Sequence, residues 1–113
     1  MSLGKRIDAL LRNGFPVSAD TPEIVALSKD HALALLRALA GTKIAIRQVE
    51  VYLLESWGPV PAEVLWSCER HPSETASDYA DRSRAGARRF VETHRGEGKA
   101  LFALDMDLQQ DAA

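Results

Sequence analysis

The sequence predicts an α+β domain, with about three helices packed on one face of a small, mainly antiparallel sheet of three to four strands. Three observations predict it. Apolar residues recur at helical spacing in three separated segments, the period drops to two from Lys43 onward, and a helical segment interrupts the strands before the last one. For 113 residues one such domain suffices. It is expected to occupy residues 1–108, with 109–113 as a flexible tail.

Leu3 to Asn13 reads as a short helix with Ile7, Leu10 and Leu11 on one face, closed by Gly14 as a left-handed residue. The stretch "FPVSADTPEIVAL" is mostly loop, because its two prolines and small polar residues interrupt any period, but Glu23 to Leu27 can form a short strand. Ser28 is an N-cap, and Ala32, Leu35, Leu36 and Leu39 follow at i, i+3, i+4, i+7 up to Gly41.

From Lys43 to Leu54 the set Val49, Val51, Leu53 alternates with Gln48, Glu50, Tyr52, the pattern of a half-buried strand. "ESWGPVPA" reads as a turn or loop. In "EVLWSCER", Val64, Trp66 and Cys68 point one way and Leu65, Ser67 and Glu69 the other. Thr75 and Asp78 have capping-box spacing and open a helix whose stripe is Tyr79, Ser83, Ala87, Phe90 and Val91, small enough in its middle to lie close to a sheet. Gly96 and Gly98 end that helix, and Ala100, Phe102, Leu104 and Met106 share one face of the last strand. The helix before it is a crossover, which places the Lys43–Leu54 strand centrally with the other two antiparallel on either side.

Composition narrows the function. A net charge of −2 gives no overall attraction to nucleic acid, and the single Cys68 rules out an internal disulfide. No apolar run approaches the roughly 20 residues of a membrane helix. Asp8 and Arg12 interrupt the N-terminal apolar residues, so "MSLGKRIDALLRNG" is not a signal peptide. A cytoplasmic protein without cofactors is the expectation.

No catalytic set emerges. Cys68 has His71 nearby but shares a face with Val64 and Trp66, which reads as a buried, inert thiol. Histidine and cysteine spacings match no zinc pattern. Asp105 and Asp107 lie on one face of the last strand, where acids guard an edge against unwanted pairing. "RGEGK" lacks the strand before it and the Ser/Thr after it that a phosphate loop needs. Arg82, Arg84, Arg88 and Arg89 form a basic strip on the third helix, but Asp78, Asp81 and Glu92 stand one turn away. The pairs Asp78–Arg82, Asp81–Arg84 and Arg88–Glu92 offset the strip locally.

The segment "LWSCERHPSETASDYADRSRAGARRFVETH" resembles the immunity protein 40 family of bacterial polymorphic toxin systems. The shared pattern is W-x-C-x-R on a strand, then Y-x-x-R-S on a capped helix. It falls on Trp66, Cys68, Arg70, Tyr79, Arg82 and Ser83. The upstream "EIVALSKDHALALLRAL" unit, the strand with "VEVYLL" and the final "ALFALD" are similar too, so the resemblance spans most of the chain. The proline-rich "ESWGPVPA" departs from it.

The resemblance implies a non-enzymatic protein that binds and blocks a toxin domain encoded beside it. On that reading Trp66, Cys68 and Tyr79 are core, and Arg82 holds its helix to the neighbouring strand. Exposed groups would make the contact: Trp57, Arg84 and Arg88, then Asp105 and Asp107. Trp57 reads equally as a lid on the sheet edge. The competing class is a small nucleic-acid-associated regulator using the arginine-rich helix 75–94.

Overall fold

The structure is a computed structural model that describes residues 2–18, 20, 24–95 and 99–107. The expected helix-ending glycines Gly96 and Gly98, the strand start at Glu23 and the tail lie outside these residues. The elements are α1 (Leu3–Leu11), β1 (Phe15–Pro16), β2 (Val25–Ala26), α2 (Lys29–Ala38), β3 (Ala45–Glu55), β4 (Gly58–Ser67), α3 (Ala76–Thr93) and β5 (Ala100–Asp107). This is the expected α+β architecture. Among the described residues, β4-β3-β5 form one sheet with β3 in the middle, antiparallel to both neighbours, and β1-β2 form a small ribbon. Strands β4 and β5 therefore run the same way, and α3 carries the chain across from one to the other.

The helix starts follow from their caps. The hydroxyls of Ser28 and Thr75 accept the backbone N–H groups of His31 (3.2 Å) and Asp78 (3.0 Å), donors the first turn leaves unpaired. Leu35 of α2, Leu39 at its C-terminal cap, and Ala87 and Val91 of α3 meet Ile46, Val49, Val51 and Phe102 of the sheet in the main core. Small side chains at Ser83 and Ala87 let α3 lie close. There the Ser83 hydroxyl, fully buried, accepts the Ile46 N–H at 2.9 Å. Lys29 ties the two helices, donating to the Glu92 and His94 carbonyls at the end of α3 (3.5 and 3.2 Å), where a cation complements the helix dipole.

Two bulges reset the pleat. At Arg47 the β3–β5 register shifts, so that Ile46 and Val49 both face the helices. On β4 the register shifts between the pairs Glu50↔Leu65 and Tyr52↔Pro61, with Glu63 at φ 60°. Strict alternation had put Val64 inward with Trp66; the bulge leaves Val64 exposed and turns Ala62 to the core instead.

"ESWGPVPA" is not a loop. Only Ser56 and Trp57 turn, and Glu55 pairs with Gly58, whose φ of 128° suits glycine. Pro59 and Pro61 are strand residues, tolerated because β4 is an edge strand. Gly14 does not take a left-handed conformation. It lies against β2, where a Cβ would stand 2.8 Å from the Ala26 carbonyl oxygen. The ribbon beyond it covers part of the second sheet face: Val17 and Ala26 pack on Tyr52, Leu54, Leu101 and Ala103. Burial there, helped by a 2.7 Å bond from the hydroxyl to Glu50, pushes the Tyr52 phenol up to about 12. Among the described residues, the half of that face around Gln48, Glu50, Leu65 and Asp105 is left open.

Candidate partner-contact face

The β4–α3 corner is held by one carboxylate. Glu74 receives Arg82 Nε on one oxygen and Arg82 Nη2 on the other, both at 2.7 Å, and the His71 backbone N–H at 2.8 Å. Arg82 also donates to the Glu69 carbonyl (2.7 Å) and to Cys68 Sγ (3.0 Å), fastening α3 to the end of β4. Arg70 donates to the Glu74 carbonyl at 3.0 Å. Tyr79 is buried and its hydroxyl donates to the Cys68 carbonyl at 2.6 Å. Trp66 lies against α3 at Gly86, where a Cβ would come within 2.6 Å of the indole Cζ2. The residues Trp66, Cys68, Arg70, Tyr79 and Arg82 thus share one corner of the fold, while Ser83 binds the central strand at Ile46. Arg82 takes Glu74 as its partner, not the Asp78 that helical spacing offered.

Arg82, ahead of the His71 amide, holds the Glu74 carboxyl down from its ordinary 4.5 to about 2. A folded-state pKa below the unfolded one stabilises the fold above the unfolded value, and this is lost as pH falls through the folded value. The window runs from 4.5 down to about 2. Glu74→Gln should therefore be less stable than the parent at neutral pH, and its stability should fall less steeply across that window. Urea midpoints of both proteins, measured between about pH 6 and pH 2, check this.

The expectation that Arg84 faces a partner is corrected. The residue is 8% exposed, and one guanidinium nitrogen donates to the Thr42 and Ile44 carbonyls, both at 2.8 Å, while the other reaches Asp81 at 2.7 Å. It reads the loop before β3, not the solvent. Burial pulls its pKa down and the Asp81 carboxylate opposes that. Arg88 does lie outward, paired with Glu92 at 3.1 Å.

Trp57 is 79% exposed at the tip of the β3–β4 hairpin, so it does not lie over the sheet edge as a lid. Asp105 is exposed opposite Gln48 and binds Arg47 at 3.0 Å, which raises the Arg47 pKa. Asp107 stands at the end of β5, opposite Ala45. Both acids are on an edge strand, but they do not sit together with Trp57 or Arg88. The candidate residues thus divide between a hairpin tip, the outer face of α3 and one end of the open sheet face.

Glu74, Arg47 and the exposed pair Val64 and Leu65 were not singled out from the sequence. Leu65 carried a signal, since alternation put it on the face away from Trp66. Glu74 carried none, because its role depends on how the Arg70–Glu74 loop folds back. Among the described residues no helix is long and apolar enough to cross a membrane, and no three His, Cys, Asp or Glu side chains group to hold a metal ion.

Comparison with curated proteins and with solved structures gives no match. The family described as Immunity protein 40, however, matches residues 14–105, a span that takes in the β1–β2 ribbon, the whole β3–β4 hairpin and the Arg82–Glu74 corner, and the chain belongs to that family.

Proposed function

We propose that this protein neutralises a bacterial toxin domain by binding it stoichiometrically, without catalysis and without a cofactor. Membership of the immunity protein 40 family over residues 14–105 carries the reading. Exposed anchors of the kinds enriched at interfaces support it: Trp57 at the hairpin tip and Arg88 on α3, with Asp105 and Asp107 as further contact positions. Arg84 contributes from inside by shaping the loop before β3. The partner is the toxin domain of the same polymorphic toxin system, met in the cytoplasm.

Co-expression with the toxin domain encoded beside this gene is expected to restore growth and to yield a complex with one copy of each chain. The absence of both rescue and a complex would overturn the proposal. The nucleic-acid reading is weaker. Arg82, Arg84 and Arg88 are each held by a carboxylate, from Glu74, Asp81 and Glu92. They are not poised to neutralise phosphates.

A further inference from the structure

This inference rests on the toxin-binding reading and deepens it. Strand β4 lies at the edge of its sheet, and its outer side is built in two unlike halves. The Cys68 N–H donates to the Arg47 carbonyl at 2.9 Å. Backbone groups alternate along an antiparallel strand, so Cys68 and Trp66 address β3 while Ser67 and Leu65 turn theirs outward. The register Gln48↔Ser67, Val49↔Trp66, Glu50↔Leu65 is unbroken here. In the other half, the hairpin closes at Glu55↔Gly58 and the outward positions fall on Pro59 and Pro61, which have no N–H to offer. Glu63, at φ 60°, then kinks the strand.

Prolines and bulges are the usual means of blocking a sheet edge. Strand β4 carries both up to Val64 and neither from Leu65 to Ser67. Leu65 on that stretch is 56% exposed, and Val64 just before it 38%. A shallow depression lies on each side of it. One is lined by Trp66, Arg82 and Gly86, the other by Leu65, Gln48 and Asp107.

We propose that the Leu65–Ser67 edge accepts an extended, basic segment of the toxin domain as an added strand. Side chains of an added strand alternate between faces, so successive ones would enter the two depressions. Main-chain hydrogen bonds to Leu65 and Ser67 would give affinity, and the depressions specificity. Charge selects the occupant. Glu63 and Glu69 flank the stretch, exposed, Glu50 stands opposite Leu65 and Asp107 lines the depression on the open face, while the arginines Arg47 and Arg82 at the two depressions are already paired with Asp105 and Glu74. The same acidic charges oppose a second copy of this chain. The antiparallel register that bonds Leu65 to Ser67 of another copy sets Glu63 directly against Glu69 at both ends, which destabilises a pairing.

Amide hydrogen exchange read by NMR, on the free protein and with a catalytically inactive form of the adjacent toxin domain, tests this. The Leu65 and Ser67 amides should slow at least about tenfold in the complex, whereas the Trp66 amide is protected already. Leu65→Pro deletes one outward donor and leaves the bonds to β3, and Glu69→Lys alters charge alone in case the proline variant does not fold. Each should weaken binding about tenfold or more by calorimetry. A complex with unchanged Leu65 and Ser67 exchange and normal affinity in Glu69→Lys overturns the docking edge but leaves toxin inhibition standing. No complex and no growth rescue overturns both. Protection of these amides in the free protein that rises with its own concentration puts a second copy in the edge and overturns the basic segment.

Discussion

Replacing Arg84 by methionine is expected to destabilise the protein by about 3 kcal/mol, although the stem of the side chain keeps its volume. The guanidinium satisfies the Thr42 and Ile44 carbonyls and is almost entirely enclosed. Without it two carbonyls in the loop before β3 lose their donor, and stranding a buried acceptor costs about 1–3 kcal/mol each. The Asp81 partner is a minor part, because its side chain is 68% exposed and solvent screens such a pair. Asp81→Asn should therefore cost under about 1 kcal/mol. Arg88→Met, on the same helix but in an exposed pair with Glu92, should stay within about 0.5 kcal/mol of the parent. Urea unfolding reads all three. A lower midpoint at constant slope for Arg84→Met alone is the expected pattern, and equal effects at Arg84 and Arg88 would contradict the structural assignment.

That contrast also marks where the sequence stopped being readable. The sequence nominates Arg84 as an outward contact because interfaces favour exposed arginine anchors. A second row beside the apolar stripe of α3, Ala80, Arg84, Ala87, Val91, runs at i, i+4, i+7, i+11, and all four are buried. The spacing was legible. What was not is the pair of carbonyls that makes burial of a guanidinium tolerable, since they belong to a loop some forty residues earlier in the chain. Local signals served better where the determinant is local. Ser28 and Thr75 cap the helices that their spacing announced, and the period-two run after Lys43 became the central strand.

The β4 strand shows the opposite failure. Pro59 and Pro61 are breakers by composition, yet an edge strand has one side on which a missing N–H costs nothing, and edge position is a property of topology. The bulges at Arg47 and Glu63 likewise depend on how strands pair, so a residue-by-residue alternation put Val64 on the wrong face. The contact face inherits this. Trp57 could be nominated as an exposed aromatic, but the two halves of the β4 edge emerge only once the register with β3 is known.

Phe102→Ala is expected to be the most damaging single truncation, at about 4 kcal/mol. Phe102 is fully buried and belongs to two assemblies at once. Its ring meets Phe90 and His94 edge-on, at centroid distances of 6.4 and 5.6 Å, so it fixes the end of α3 on the sheet. Its backbone exchanges both hydrogen bonds with Leu27, at 2.8 and 2.7 Å, which hangs the segment after the β1–β2 ribbon on β5. Truncation removes only the first set and leaves a cavity between elements that cannot close on it, since Leu27 stays tied to the backbone. At roughly 4 °C per kcal/mol for a domain of this size, the melting temperature should drop by about 15 °C. Phe102→Leu refills most of the volume and should cost well under half as much. Because the backbone pairing survives, the Leu27 amide should remain protected in Phe102→Ala below its melting point while Val91 in α3 loses protection first. Simultaneous loss at both positions would show instead that helix layer and ribbon open as one unit.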